Sequence, residues 1–201
     1  MKSEGKIKAI FIDRDGTINE EAGYINHVDL FMLLPRSIEA IRLINMSPFK
    51  AVMVTNQAGV AKGYFPEELV LSIHDKLKGL LDKEGAYLDG IYYCPHHPEG
   101  SVEKYRIQCE CRKPRPGLLL KAAEDLDIVL SRSYLVGDKI SDVVLARSVG
   151  AKGVLVLTGY GKGEVENFGN GWGGVKKPVY IAEDLYDAVE WILDVEGQRV
   201  D

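Results

Sequence analysis

Short apolar runs rich in β-branched residues alternate along this chain with segments whose apolar residues recur every three or four positions. The runs at 7–12 (IKAIFI), 51–54 (AVMV), 91–93, 134–136, 153–157 and 179–181 predict strands. Helical spacing predicts helices over 37–46, 67–84, 117–126, 143–148 and 183–194. In the second of these, Leu69, Ile73, Leu77 and Leu81 fall on one face. Strands that alternate with helices imply βαβ units, hence a three-layer α/β arrangement around a mainly parallel sheet. Sites in such sheets form beyond the carboxyl ends of the strands, so chemistry is expected just after each apolar run. The glycine-rich stretch Gly159 to Gly174 predicts a surface loop in which Phe168 and Trp172 pack locally. No internal repeat or linker divides residues 1–201, which are read as one domain.

Composition narrows the partners. A net charge of -5, from 25 basic and 30 acidic residues, argues against a nucleic-acid backbone binder. It leaves room for a small anionic ligand, because local fields outweigh the sum. No apolar stretch approaches the roughly 18 residues of a membrane helix, and the first residues lack the apolar core of a signal peptide. The cytoplasm and a monomer without membrane or nucleic-acid partners are therefore expected. Three cysteines cannot build a disulfide framework.

Four strand ends carry chemistry. The first is Asp13-Arg14-Asp15-Gly16-Thr17, two carboxylates straight after a buried run, with a glycine that permits an unusual turn. An aspartate can attack phosphorus, and a second one nearby can protonate a leaving oxygen. The second is Thr55-Asn56-Gln57, whose hydroxyl and N–H groups can hold a phosphoryl group, or simply cap a strand end. The third is Arg112-Lys113-Pro114-Arg115-Pro116, cations placed before a helix. The fourth is Gly137-Asp138-Lys139-Ile140-Ser141-Asp142, where Asp138 can bind Mg²⁺ and Asp142 can cap or orient Lys139. Between the second and third lies Cys94-Pro95-His96-His97, then Cys109-Glu110-Cys111. Cys94, His96, Cys109 and Cys111 make a complete tetrahedral zinc set, His96 being chosen over His97 for its spacing from Cys94. A closed four-ligand site has no open position, so this zinc is read as a staple that presets Arg112 and Lys113.

In this order the four segments resemble the motifs of the haloacid dehalogenase (HAD) superfamily of phosphotransferases. The resemblance implies a three-layer Rossmann-like fold with Asp13 as nucleophile and Asp15 as general acid/base. It implies that Thr55 and Lys113 hold the phosphoryl group and that Asp13, the carbonyl of Asp15 and Asp138 hold Mg²⁺. Asp15 must be protonated to donate, a form that nearby Asp13 and substrate phosphate are expected to favour. FIDRDGTIN with Gly23-Tyr24, TNQAGVAKGY, CPHHPEG, CECRKPRPG and VGDKISD narrow the resemblance. They look like the histidinol-phosphate phosphatase-like group, and within it the heptose 1,7-bisphosphate phosphatases of heptose-nucleotide synthesis for lipopolysaccharide or S-layer glycans. That implies sugar contacts at Asn19, Glu21, Ala22, Gly23, Tyr24, Thr55, Asn56, Gln57, Ala58, Arg112, Lys113 and Lys139. The small phosphorylated sugar expected is heptose 1,7-bisphosphate, cleaved at its 7-phosphate. Histidinol phosphate is the alternative substrate, and a non-catalytic zinc-stapled phosphosugar-binding module the alternative of another class. The intervals between the motifs already hold core elements and leave too little for a cap domain of about 50 residues. Loops around 19–24, 59–64 and 94–111 must then screen the site.

Other residues carry no chemistry in this reading. His27 and His74 read as surface or satisfied polar groups, and Trp191, Met46 and Met53 as packing residues. Ser131 and Ser133 read as turn residues.

Overall fold

The structure, a computed structural model, describes residues 7–168 and 177–198. Six strands form one wholly parallel sheet: β1 (Lys8–Ile12), β2 (Phe49–Asn56), β3 (Gly90–Cys94), β4 (Tyr134–Gly137), β5 (Lys152–Val156) and β6 (Tyr180–Ala182). Their order is β3-β2-β1-β4-β5-β6. The chain thus winds outward from β1 on one side and resumes at β4 on the other. The segments leaving β1 and β4 diverge there, which opens a crevice at their carboxyl ends.

Side chains alternate across β1. Ile10 and Ile12 face a layer of α1 (Ser37–Asn45), α2 (Glu67–Lys83) and α6 (Leu185–Val195). Ala9 and Phe11 face α3 (Gly117–Leu126) and α4 (Ile140–Ser148). Both faces are covered, which is why the strand reads as an unbroken apolar run. Ile10 and Ile12 on one face and Phe11 on the other are fully buried, each worth about 2 kcal/mol by area, so the strand that carries the first motif is anchored from both layers. Helix α6 is started by Asp184, whose carboxylate accepts from the Asp187 N–H at 2.9 Å.

Three expectations need correction. Residues 159–174 are not all loop: α5 spans Gly161–Phe168. Its glycines suppress the helical signal, but a Cβ at Gly161 would lie 1.8 Å from the Val156 carbonyl oxygen, so the close approach excludes any larger residue. Trp172 lies outside the described residues. Helix α4 begins at Ile140 rather than Val143, because its first turn is spent on the strand-end motif. Met46 is 59% exposed and packs little, whereas Met53 is in the core. Among the described residues no helix is long and apolar enough to cross a membrane.

The amino-terminal edge of the sheet is tied by Glu196. Its carboxylate accepts from Lys8 at 2.7 Å, the Tyr134 hydroxyl at 2.7 Å and Lys152 at 3.1 Å. The Lys8 bond above all holds its pKa down to about 2. The folded value lies below the unfolded one of about 4.3, so this stabilisation is complete above that pH and disappears as pH falls toward 2. Glu196→Gln should therefore cost about 1 kcal/mol at pH 7 by thermal or urea denaturation. The gap to wild type should close below about pH 4.

Candidate active site

Strand β1 continues one residue past its end, where the Asp13 N–H donates to the Val136 carbonyl at 2.9 Å. That bond aims the Asp13 side chain into the crevice between β1, β2 and β4. One oxygen of Asp13 accepts from the Arg14 N–H at 2.7 Å, and the other meets the Lys113 ammonium at 2.8 Å. The same ammonium lies 2.7 Å from Asp142, on α4. Asp13, Lys113, Asp138 and Asp142 are all buried, and an isolated charge at this depth would cost several kcal/mol. Asp142 was expected to cap or orient Lys139; instead it grips Lys113. Lys139 turns the other way, 3.5 Å from Glu21 and over the Tyr160 ring.

Two carboxylates therefore grip one lysine, and a third, Asp138, stands beside them. Carboxylate oxygens of Asp13, Asp138 and Asp142 lie within 4.8 Å of one another. Burial raises Asp13 to about 6 against the opposing pull of Lys113. Burial and the Asp13 charge raise Asp138 to about 7. The charges of Asp13 and Asp142 outweigh burial at Lys113 and raise its pKa. One Asp138 oxygen accepts from the Tyr160 N–H at 2.9 Å, while the other is buried without a partner. Gly16 and Gly159 press against Asp138 with φ of 79° and 54°, and a Cβ on either would come within 2.3 Å of its oxygen. An orphaned carboxylate oxygen beside uncompensated negative charge is what a hard divalent cation requires, so the residues fit Mg²⁺.

Asp15 departs from expectation. Its side chain is turned into a network rather than toward Asp13. Arg14, itself 1% exposed, grips both oxygens at 2.8 and 2.9 Å. Asn19 donates at 3.0 Å and Gln57 at 2.8 Å. Burial acts to raise the Asp15 pKa, but the Arg14 charge and these bonds outweigh it and hold it below the usual carboxylate range. The free protein thus keeps Asp15 ionised, so the protonated form expected at donation calls for the substrate phosphate. Behind it, the third nitrogen of Arg14 lies 3.5 Å from Nε2 of His74. Burial and the Arg14 charge lower His74 to about 3, leaving a neutral ring that can accept. His74 is thus a satisfied buried group.

Asp13, Asp15 and Lys113 floor a cleft of about 370 Å³. Glu21, Gly23, Tyr24, Thr55, Asn56, Gln57, Ala58, Arg112, Lys113 and Lys139 line it, together with Ile25, Gly59, Phe65, Ser141 and Tyr160, which the sequence did not single out. Asn19 and Ala22 do not line it. Asn19 is fully buried and spends its amide on Asp15 and the Glu20 carbonyl. Arg14 was equally overlooked; the only signal for it was a long cation inside an otherwise apolar-to-acidic strand end.

The zinc set converges. Cys94 Sγ lies 3.5 Å from Cys109 and 3.2 Å from Cys111, which are 3.1 Å apart. His96 Nδ1 is 3.3 Å from Cys111 and 3.8 Å from Cys94. Edges of a tetrahedron of zinc–sulfur bonds are about 3.8 Å, so the donors and their spacing fit Zn²⁺. His97 is outside the set and caps Glu99 instead. The knuckle sits directly before Lys113, and Arg112 and Arg115 fold back on the carbonyls of His96 and Cys109.

Comparison with known proteins agrees with this geometry. Residues 110–188 match a family model described as HAD-hydrolase-like. A D-glycero-beta-D-manno-heptose-1,7-bisphosphate 7-phosphatase of Yersinia pestis is 48% identical over 76% of this chain and 82% of its own length. Its Escherichia coli K12 counterpart is 47% identical over 94% of this chain and 89% of its own length. The crystal structure of a D,D-heptose 1,7-bisphosphate phosphatase from B. bronchiseptica, complexed with magnesium and phosphate, superposes with a TM-score of 0.82. It is 33% identical, covering 94% of this chain and 99% of that one. The chain belongs to the haloacid dehalogenase-like phosphatase family, among its D-glycero-beta-D-manno-heptose-1,7-bisphosphate 7-phosphatases.

Proposed function

We propose that this protein removes the 7-phosphate of D-glycero-beta-D-manno-heptose 1,7-bisphosphate. The observation that carries the chemistry is the Lys113 ammonium held between Asp13 and Asp142 on the floor of a cleft that Asp15 and Thr55 also line. The sugar assignment draws on the named relatives. Within the cleft the remaining acid, Glu21, is matched by Lys139. A cationic amine such as histidinol would therefore find Glu21 already paired, whereas an anionic polyol meets Arg112, which no carboxylate of the cleft pairs.

The Lys113 ion pair keeps Asp13 ionised and aimed. An Asp13 oxygen attacks phosphorus as the bond to the sugar's O7 breaks, leaving an aspartyl-phosphate. Asp15 gives its proton to the departing O7. That proton reaches Asp15 as the phosphate approaches, since a second negative charge at hydrogen-bond distance favours the neutral acid over the ionised resting form. Asp15 then takes a proton from water, which attacks phosphorus and frees Asp13 and inorganic phosphate. Lys113 and the Thr55 hydroxyl carry charge on the transferring oxygens throughout. Mg²⁺ held by Asp13, the Asp15 carbonyl and Asp138 would offset the repulsion between carboxylate and phosphate. Zn²⁺ on Cys94, His96, Cys109 and Cys111 would act at a distance, fixing the chain before Arg112 and Lys113.

Phosphate release from heptose 1,7-bisphosphate, heptose phosphates and histidinol phosphate, with and without Mg²⁺, tests the reading. The bisphosphate should be the preferred ester and chelation should abolish its turnover; a preference for histidinol phosphate would refute the sugar assignment. Asp13→Asn should lower kcat at least ~10⁴-fold with an unchanged circular dichroism spectrum. Cys109→Ala should lose about one zinc per chain and lower kcat/KM, because a three-ligand knuckle no longer closes; elemental analysis beside the phosphate assay reads both.

A further inference from the structure

We infer that Asn56 is a positioning residue for Lys113 rather than a group that binds substrate through its side chain. Asn56 is the last residue of β2, paired in register with Cys94 at the end of β3. Its side-chain carbonyl accepts from the Lys113 N–H at 3.0 Å, and its amide nitrogen donates to the Lys113 carbonyl at 3.1 Å. Donor and acceptor of one side chain thus engage acceptor and donor of one peptide residue, a single rung of a ladder made by a side chain. The two residues are 57 positions apart, so the latch is invisible to local pattern.

The reason such a device is needed lies in the surrounding chain. Residues 95–116 contain no strand and only one short 3₁₀ turn, Glu103–Tyr105. Main-chain groups in irregular buried segments must find partners outside a ladder. The zinc knuckle holds this segment at Cys111, two residues upstream. The Asp13 and Asp142 carboxylates hold only the far end of the Lys113 side chain. Neither fixes where the main chain of Lys113 sits relative to β2. Asn56 does, and so sets the depth at which the ammonium meets Asp13. Its neighbour Gln57 serves the other half of the site, donating to both the Asp15 carboxylate and the Thr55 hydroxyl. One strand end thereby positions both halves of the chemistry.

The inference rests on the phosphatase reading, and wild-type turnover in the same assay separates failure of that reading from failure of this one. Asn56→Ala removes both bonds, and Asn56→Leu removes them while keeping the side chain's bulk. Both should lower kcat/KM about 30-fold, the loss of two hydrogen bonds each worth roughly a factor of five. The inhibition constant of inorganic phosphate should rise with them, while zinc content stays near wild type and Tm falls by only several degrees, the cost of two unpaired main-chain groups. In a Lys113→Ala background, followed by single-turnover phosphate release, Asn56→Leu should change little, because its effect runs through the missing ammonium. Wild-type kcat/KM in either variant would overturn the inference. So would an undiminished 30-fold loss in the Lys113→Ala background, which would make Asn56 a direct substrate contact. Loss of zinc, or of the folded circular dichroism spectrum at the assay temperature, in both variants would make Asn56 a folding residue and would overturn it as well.

Discussion

One ammonium group organises this protein. Lys113 sits between Asp13 and Asp142, buried with both, and each partner would be costly without the others. The arrangement reconciles two demands on a carboxylate nucleophile. It must leave water to be reactive, and burial drives it toward its neutral form, so that even beside the lysine its pKa is raised to about 6. The lysine opposes that drift and supplies a positive charge where the phosphoryl oxygens will lie. The surplus of carboxylate, concentrated on Asp138, leaves a place for a divalent cation.

The fold exists around that point as a set of strand ends. β1 delivers Asp13, β2 delivers Thr55 to Gln57, and β4 delivers Asp138, while the lysine arrives on a segment with no regular structure. Such a segment needs external fixing: Asn56 and the carboxylates hold it at Lys113, and a zinc ion on Cys94, His96, Cys109 and Cys111 would hold it just upstream. Asp15 belongs to a separate electrostatic system. Arg14, Asn19 and Gln57 keep it ionised, and neutral His74 closes the network behind Arg14 without adding charge. The two aspartates are two residues apart in sequence yet live in opposite environments: one is raised by burial, the other lowered by a buried arginine. In the free protein these shifts run opposite to what a proton donor at Asp15 needs, so under the proposed mechanism substrate phosphate has to reverse the one at Asp15.

What could be read in the chain follows from the same physics. Buried parallel strands are unbroken apolar runs, so their ends, and the polar residues planted there, were visible; the strands around Asp13, Thr55 and Asp138 lie where the runs predict. The CxH and CxC spacings pointed to the cluster that the structure brings together, because few other roles crowd all three cysteines beside a histidine. Partners were not visible, since periodicity assigns a face and never a neighbour. Asp142 gripping Lys113 instead of Lys139, Asn19 standing behind Asp15 instead of in the cleft, and the ionised state of Asp15 are all matters of pairing. Helix α5 was hidden for another reason: Gly159 and Gly161, which weaken the helical signal, are there to let the backbone pass close to Asp138 and Val156.

The most direct test of the account is the stereochemical course at phosphorus. With a substrate whose 7-phosphate is made chiral by oxygen isotopes, attack by Asp13 followed by attack of water gives two in-line displacements. The account predicts net retention of configuration in the released phosphate. Net inversion would mean that water attacks the ester directly, and would contradict both the nucleophilic role of Asp13 and the purpose of the lysine that holds it.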